Sequence, residues 1–273
     1  ILVTTSLKYI RMFSFSTESN MFTKIIYRIR PAFLADFLKK IFNLKRIKFD
    51  TTRGIFLIDP VSNFGRALLD EGDYEKDLTN KIIKSLNAGD IFLDIGANEG
   101  WFTIISSKIV GPTGYVYSIE PQSRLKTTLI QNMKSNNCTN VNISDAILSS
   151  HNGYSEIFIA PSTNSGSSGL YNLLSYSTKK ELCVSYTLKR YLQMIGKTMV
   201  DVAKVDIEGG EWELISSSVD ILSKGAIQHL YLEVHPHILM KLGHTANQLE
   251  ELLKSCKYSI TKNGDSWFCR YEN

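Results

Sequence analysis

The chain has 273 residues and a mass of 30.9 kDa, which suits one α/β domain with an extension or two small domains. With 43% hydrophobic and 21% charged residues it can bury a core, so it is not a wholly disordered chain, and 17 Gly with 6 Pro excludes a collagen-like one. No run reaches the roughly 18 apolar residues of a spanning helix, and a formal charge of +4 is too mild to imply a nucleic-acid partner.

That charge is unevenly placed. Residues 1–50 hold ten Lys/Arg and three Asp/Glu, which leaves 21 basic and 24 acidic residues in a slightly acidic main body. Cys138, Cys183, Cys256 and Cys269 form no Cys-x-x-Cys pair, so the spacing supports neither a zinc knuckle nor a thioredoxin-like redox site. Four cysteines in this length are not a disulfide framework, and a reduced, cytoplasmic location is expected. The opening Ile1-Leu2-Val3 lacks the charged–apolar–cleavage pattern of a secretory leader.

Residues 1–20 are Ser/Thr-rich and aperiodic, and are expected to be mobile; residues 21–80 read as a basic extension of helix and hairpin. Within it, residues 22–44 mix Ile, Phe and Leu with Lys24, Arg28, Arg30, Lys39 and Lys40, an amphipathic pattern broken at Pro31. Such a segment either lies on an anionic membrane surface or packs its stripe on the main domain, and the second reading is preferred. Residues 47–59 predict two short strands about Thr51-Thr52-Arg53-Gly54. Tyr74, Leu78, Ile82 and Leu86 share one helix face, and Gly89 is placed to end that helix.

From residue 81 to the end, strand and helix signals alternate. Strands are expected at 91–95, 115–119, 141–144, 202–207 and 229–234, helices at 101–110, 124–134, 210–217 and 245–255, and closing strands at 257–262 and 266–271. This rhythm implies an α/β fold with a doubly wound, mostly parallel, Rossmann-like sheet. A loop insertion near 160–180 interrupts it, and its segment 161–169 contains only turn and loop formers between strand-like stretches.

The most informative segment is Phe92-Leu93-Asp94-Ile95-Gly96-Ala97-Asn98-Glu99-Gly100: a buried strand, an acid, a glycine turn and a helix. A dinucleotide fingerprint needs G-x-G-x-x-G to seat a pyrophosphate. Here the pattern is D-x-G-x-x-x-G, with an acid where a phosphate would be repelled. A carboxylate at Asp94 suits a ligand carrying ammonium and sulfonium charge, S-adenosylmethionine (SAM). Gly96 and Gly100 would let backbone approach that ligand closely. Glu120 ends the next strand 26 residues on, where an acid can accept both ribose hydroxyls of an adenosine ligand. Asp145, just past the third strand, is either an adenine contact or an ordinary turn residue.

These residues resemble a family. Asp94-Ile-Gly-Ala-Asn-Glu-Gly, Glu120-Pro121, Lys204-Val-Asp206-Ile-Glu208-Gly-Gly-Glu211 and Glu233-Val-His235, with Gly72-Asp-Tyr74-Glu75 and Gly89-Asp90 ahead of them, are similar to the FkbM-type SAM-dependent methyltransferases. The resemblance covers roughly residues 50–235. It implies a class I methyltransferase domain, SAM as donor held by Glu75, Asp94, Gly96, Ala97, Asn98, Gly100, Glu120 and Asp145, and transfer to an oxygen of a sugar, glycan or natural-product acceptor. Two departures stand out: Thr187-Leu188 is followed by Lys189 where the family has Asp, and Glu208-Gly209-Gly210-Glu211 replaces Glu-Gly-Ala-Glu.

Asp206, Glu208 and His235 are the acceptor-side candidates. Asp206 could orient the acceptor hydroxyl or take its proton. His235, with an ordinary pKa near ~6.5, could share that proton, or could simply be held by Pro236 and a backbone carbonyl. Lys204 and Glu211 are expected to pair with each other. Asp206, Glu208 and His235 could also ligate a divalent ion, although nothing in the spacing requires a metal. The rival readings are a SAM- or sugar-binding module without turnover and a nicotinamide-dependent oxidoreductase. The partners expected are a small-molecule or glycan acceptor, no nucleic acid, and peripheral membrane contact through residues 22–44 as the alternative to packing.

Overall fold

The computed structural model describes residues 25, 32–171 and 179–272. The expectations for residues 1–20 and for most of the stretch before Pro31 lie outside the described residues. Five strands, β3 (Ile91–Ile95), β4 (Tyr115–Ile119), β5 (Val141–Ser144), β9 (Val200–Val205) and β10 (Ile227–Glu233), are parallel. They continue into β12 (Ser266–Tyr271), antiparallel to β10, and β11 (Tyr258–Asn263), in the sheet order β11-β12-β10-β9-β3-β4-β5.

The central strands are mostly apolar because both faces are covered, as parallel sheets require, with Asp94, Ser118 and Lys204 as buried polar exceptions. Alternation sends Phe92, Val116 and Val202 to one core, and Leu93, Ile95, Ala203 and Val205 to the other. The first core also takes Phe56 and Ile58 of β2 (Ile55–Ile58), Phe64 and Leu68, Ile82, and Trp101. The residues before 81 therefore share a core with the sheet. β1 (Ile47–Asp50) and β2 pair as the hairpin expected from the sequence.

The helix Asn63–Glu71 buries Phe64 and Leu68, and its ends are written in the chain. Ser62 Oγ accepts the Gly65 N–H at 2.9 Å, and Gly72 closes it at φ +71° with its N–H on Leu68 O. Gly89 does not end the following helix, as the sequence suggested. That helix, Lys76–Ser85, stops earlier, at an extended Leu86, and Gly89 (φ +94°) turns the chain into β3 with its N–H on Val110 O.

The helix Ala32–Ile41 packs Ala35 and Leu38 against Val61, and Lys39 bonds Asp59 and Ser162 Oγ. Its other side leaves Leu34, Phe37 and Ile41 exposed, with Phe42 beyond it. Among the described residues, no helix is long and apolar enough to cross a membrane.

The insertion builds a small sheet of its own, ordered β6 (Ile147–Leu148), β8 (Lys180–Tyr186), β7 (Gly153–Phe158). Its segment Ser162–Ser167 forms 3-10 turns, and Gly169 bridges back to Phe158.

Candidate functional site

Strand register brings the candidate acids together. Ile119, Ile95 and Val205 are aligned partners across β4, β3 and β9, with Ser144 of β5 beside Ile119 and Leu232 of β10 beside Val205. The residues that follow, Asp145, Glu120, Gly96, Asp206 and Glu233, therefore stand in a row along the carboxyl edge. Chain order reverses between β3 and β9, the switch point where α/β sheets open a crevice.

At that point the two backbones nearly touch. Asp206 N donates to Ile95 O at 3.0 Å, and a Cβ added to Gly96 (φ +82°) would lie 1.8 Å from Asp206 O. Only glycine fits. The turn is fixed further by Gly96 and Ala97, whose N–H groups both donate to Ile119 O at 3.0 Å. Gly100 (φ +92°) starts the helix Trp101–Val110, and a Cβ there would strike Leu129.

A cleft with about 600 Å³ of empty space opens above this turn. Gly96 and Asn98, Glu120 to Gln122, Ala146 to Leu148, Gly166 and Ser168 to Leu170 contribute to its walls, together with Asp206. Glu120 is 3% exposed, and its two oxygens accept the N–H groups of Asn98 (2.8 Å) and Gln122 (2.9 Å). Burial raises its pKa, while those backbone bonds pull the other way. An acid buried at a strand end, backbone approachable at a glycine, and an apolar floor fit an adenosine-bearing ligand.

Segment 161–169 closes one side of this cleft. Gln122 Nε2 donates to Ser165 O, Ser168 Oγ donates to Gln122 Oε1 at 2.9 Å, and Ser165 Oγ donates to Asn98 Oδ1 at 3.2 Å.

Of the expected cofactor residues, Gly96, Asn98 and Glu120 line the cleft; Glu75 and Ala97 line only a second chamber described below, and Asp94, Gly100 and Asp145 line neither space. Asp94 is fully buried beside Lys204, its register partner; Oδ2 accepts Thr103 Oγ1 at 2.6 Å and Oδ1 has no partner. Burial raises its pKa against the pull of Lys204. Asp145 turns to solvent and pairs with Lys126 at 2.7 Å, which lowers its pKa.

Beyond Asp206 lies a second chamber of about 300 Å³, lined by Phe64, Tyr74, Glu75, Trp101, Phe102 and Lys204, and sharing Gly96, Asn98 and Asp206 with the cleft. Glu75 thus faces the chamber, at φ +43°. Lys204 is not paired with Glu211. Its Nζ donates to Gly96 O (2.9 Å) and meets Asp206 Oδ2 at 3.3 Å, and Asp206, Asp94, Glu75 and Glu233 raise its pKa despite the opposing effect of burial.

Glu211 instead holds His235. Nδ1 of the ring is 2.8 Å from Glu211 Oε1, and Nε2 is 3.4 Å from Glu208 Oε2. Burial works against charge on His235, but the Glu211 hydrogen bond and the nearby carboxylates lift its pKa to about 9. Both ring nitrogens thus face carboxylates rather than Pro236 and a backbone carbonyl. Burial, with Asp206 and Glu211, raises Glu208 to about 7; Glu233 is pushed to about 7 by burial, Asp206 and Glu75.

Sequence reasoning missed Gln122, Ser165 and Ser168, whose partners lie more than forty residues away. It also missed Arg46, which grips Glu99 through both terminal nitrogens at 2.7 and 3.1 Å and ties the hairpin to the glycine turn.

Five parallel strands, an antiparallel strand inserted beside the last, and a cleft at the switch point define a class I, Rossmann-like methyltransferase fold. Residues 94–260 match the family described as Methyltransferase FkbM domain. The chain belongs to that family.

Among solved structures, the chain is similar to a precorrin-6y C5,15-methyltransferase from Geobacter metallireducens (13% identity, 73% of this chain and 89% of that one, TM-score 0.42). It is also similar to an Aeropyrum pernix fibrillarin with natively bound S-adenosyl-L-methionine (13% identity, 71% and 73% covered, TM-score 0.41). No curated protein matches the chain.

Proposed function

We propose that the protein transfers the methyl group of SAM to a hydroxyl oxygen of a sugar, glycan or natural-product acceptor. The observation that carries this reading is the junction of two spaces at Gly96, Asn98 and Asp206: a partly apolar cleft on one side and an acid- and aromatic-walled chamber on the other. When bound, SAM supplies an already activated methyl group, so the protein needs no covalent step of its own.

What remains for this chain is positioning and proton removal. Glu120, which lines the cleft, offers its carboxylate to a ribose, and Gly96 lets the backbone approach the cofactor. The rings of Phe64, Tyr74 and Trp101 and the carboxylates of Glu75 and Asp206 offer stacking faces and acceptors to a polyol. Asp206, at the junction, takes the hydroxyl proton, and Glu208, with its pKa near about 7, is suited to pass it on. The test is a methyl-transfer assay by mass spectrometry over sugars, glycans and hydroxylated natural products, run beside amine acceptors. Products methylated on oxygen are expected; methylation confined to nitrogen would overturn the oxygen assignment.

We also propose a peripheral contact with an anionic membrane surface. Leu34, Phe37, Ile41 and Phe42 are exposed beside exposed Lys40 and Lys45, the combination that binds acidic lipid. Vesicle co-sedimentation should require anionic lipid and fall with salt. Equal or absent binding across lipid compositions would remove the proposal.

A further inference from the structure

The acid cluster beyond the cleft contains a group whose arrangement the proton-transfer role does not explain. Asp206, Glu208 and His235 each offer one ligand atom, and these atoms lie within 4.8 Å of one another. The three come from the ends of neighbouring strands, β9 and β10.

His235 is set from behind. Glu211 is fully buried, receives the Gly209 N–H at 2.9 Å and places Oε1 on His235 Nδ1, while its Oε2 has no partner. Nε2 is thereby turned toward Glu208. A buried carboxylate behind one imidazole nitrogen, with the other nitrogen facing further carboxylates, is the outer support found on metal-bound histidines. The backbone is bent to present these groups: Glu208 sits at φ +49° and Gly209 at φ +99°. A left-handed non-glycine residue is strain that a fold retains at functional turns. The charges are also lopsided. Asp206, Glu208, Glu211 and Glu233 crowd around Lys204, already engaged by Gly96 O, and His235, whose Nε2 gives up any proton when it takes a metal.

We infer that Asp206, Glu208 and His235 bind one divalent cation of the Mn²⁺ or Zn²⁺ type. One imidazole nitrogen with two carboxylates favours such ions over Mg²⁺ and Ca²⁺, which prefer all-oxygen sets. Because Asp206 also lines the chamber, the ion is placed to take an acceptor hydroxyl as a further ligand. That last role rests on the methyltransferase reading; the ion site does not.

The test is a Mn²⁺ titration of the full chain followed by electron paramagnetic resonance, where the free-ion signal disappears on binding. The parent should take up one Mn²⁺ saturably. Glu208→Gln and His235→Gln should each bind at least about tenfold more weakly, and Glu211→Gln about 10–100-fold more weakly. No saturable uptake by the parent, or equal affinity in all variants, would overturn the site. Circular dichroism melts check folding; if His235→Gln does not fold, Glu208→Gln and Asp206→Asn decide. A SAM titration in chelator separates the two readings. Mn²⁺ uptake without SAM binding leaves the ion site standing and sinks the donor assignment, whereas SAM binding without Mn²⁺ uptake sinks the ion site alone.

Discussion

The cleft and the acid chamber share one sheet edge but are built on opposite principles. In the cleft, the buried acid is satisfied by the protein itself: Glu120 takes two backbone N–H groups, and Gln122, Ser165 and Ser168 lock the wall around it. In the chamber Glu75 and Asp206 share one space, with Glu208 and Glu233 close outside its lining, and burial and mutual repulsion raise the pKa of Glu75, Glu208 and Glu233. A site satisfied by backbone is preformed for a ligand of fixed shape. A site left with surplus negative charge gains most from what arrives, whether a cation or a proton released in reaction.

The comparison breaks first at the seam. Gly96→Ala would place a methyl 1.8 Å from Asp206 O at φ +82°, a conformation that alone costs roughly 1–3 kcal/mol. Both spaces should deform, so calorimetry should find no SAM binding and a lowered Tm; parental binding would show that the two strands can part without consequence.

Next is the chamber alone. Asp206→Asn keeps shape but removes charge, and methyl transfer at saturating SAM should fall about 10²-fold with SAM affinity nearly unchanged. Parental turnover would remove Asp206 as the base.

A smaller, distributed effect is the pH dependence of stability. Glu208 and Glu233, at about 7 when folded against an ordinary 4.5, hold protons more tightly in the native state, so their contribution falls as pH rises through about 7. His235, at about 9 against 6.5, contributes fully below 6.5 and loses that contribution as pH climbs through about 9. Both trends have one sign. Tm followed by circular dichroism should decline from pH about 5 to about 9, and a rise would contradict the crowding of charge in the chamber.

The smallest effect belongs to the cleft wall. Ser168→Ala removes bonds to Gln122 and the Ala160 N–H and should weaken SAM binding by about 1 kcal/mol, read by calorimetry. A loss equal to that of Glu120 would mean the wall, not the carboxylate, holds the ligand.

The same contrast explains what could be read from the sequence. Strands β3, β4 and β9 were legible because both faces are buried, and their acids were legible because parallel register carries each strand-end residue to the same edge. The place of Asp94 was not legible: it precedes the edge by two residues, so the register sets it beside Lys204 inside the sheet, a neighbour 110 positions away that no local pattern shows. The pairing of Glu211 with His235 depends on a left-handed turn at Glu208, which no side-chain pattern signals. Arg46 on Glu99 and Ser168 on Gln122 join residues 53 and 46 positions apart, beyond any local periodicity.

The most direct test of the donor assignment is a calorimetric titration of SAM into the parent and Glu120→Ala. The parent should bind one SAM per chain, and the variant, still folded, should bind about 1.5–3 kcal/mol more weakly, the scale of a hydrogen bond to a charged group. Equal affinity in the two proteins would place the cofactor elsewhere and contradict the account.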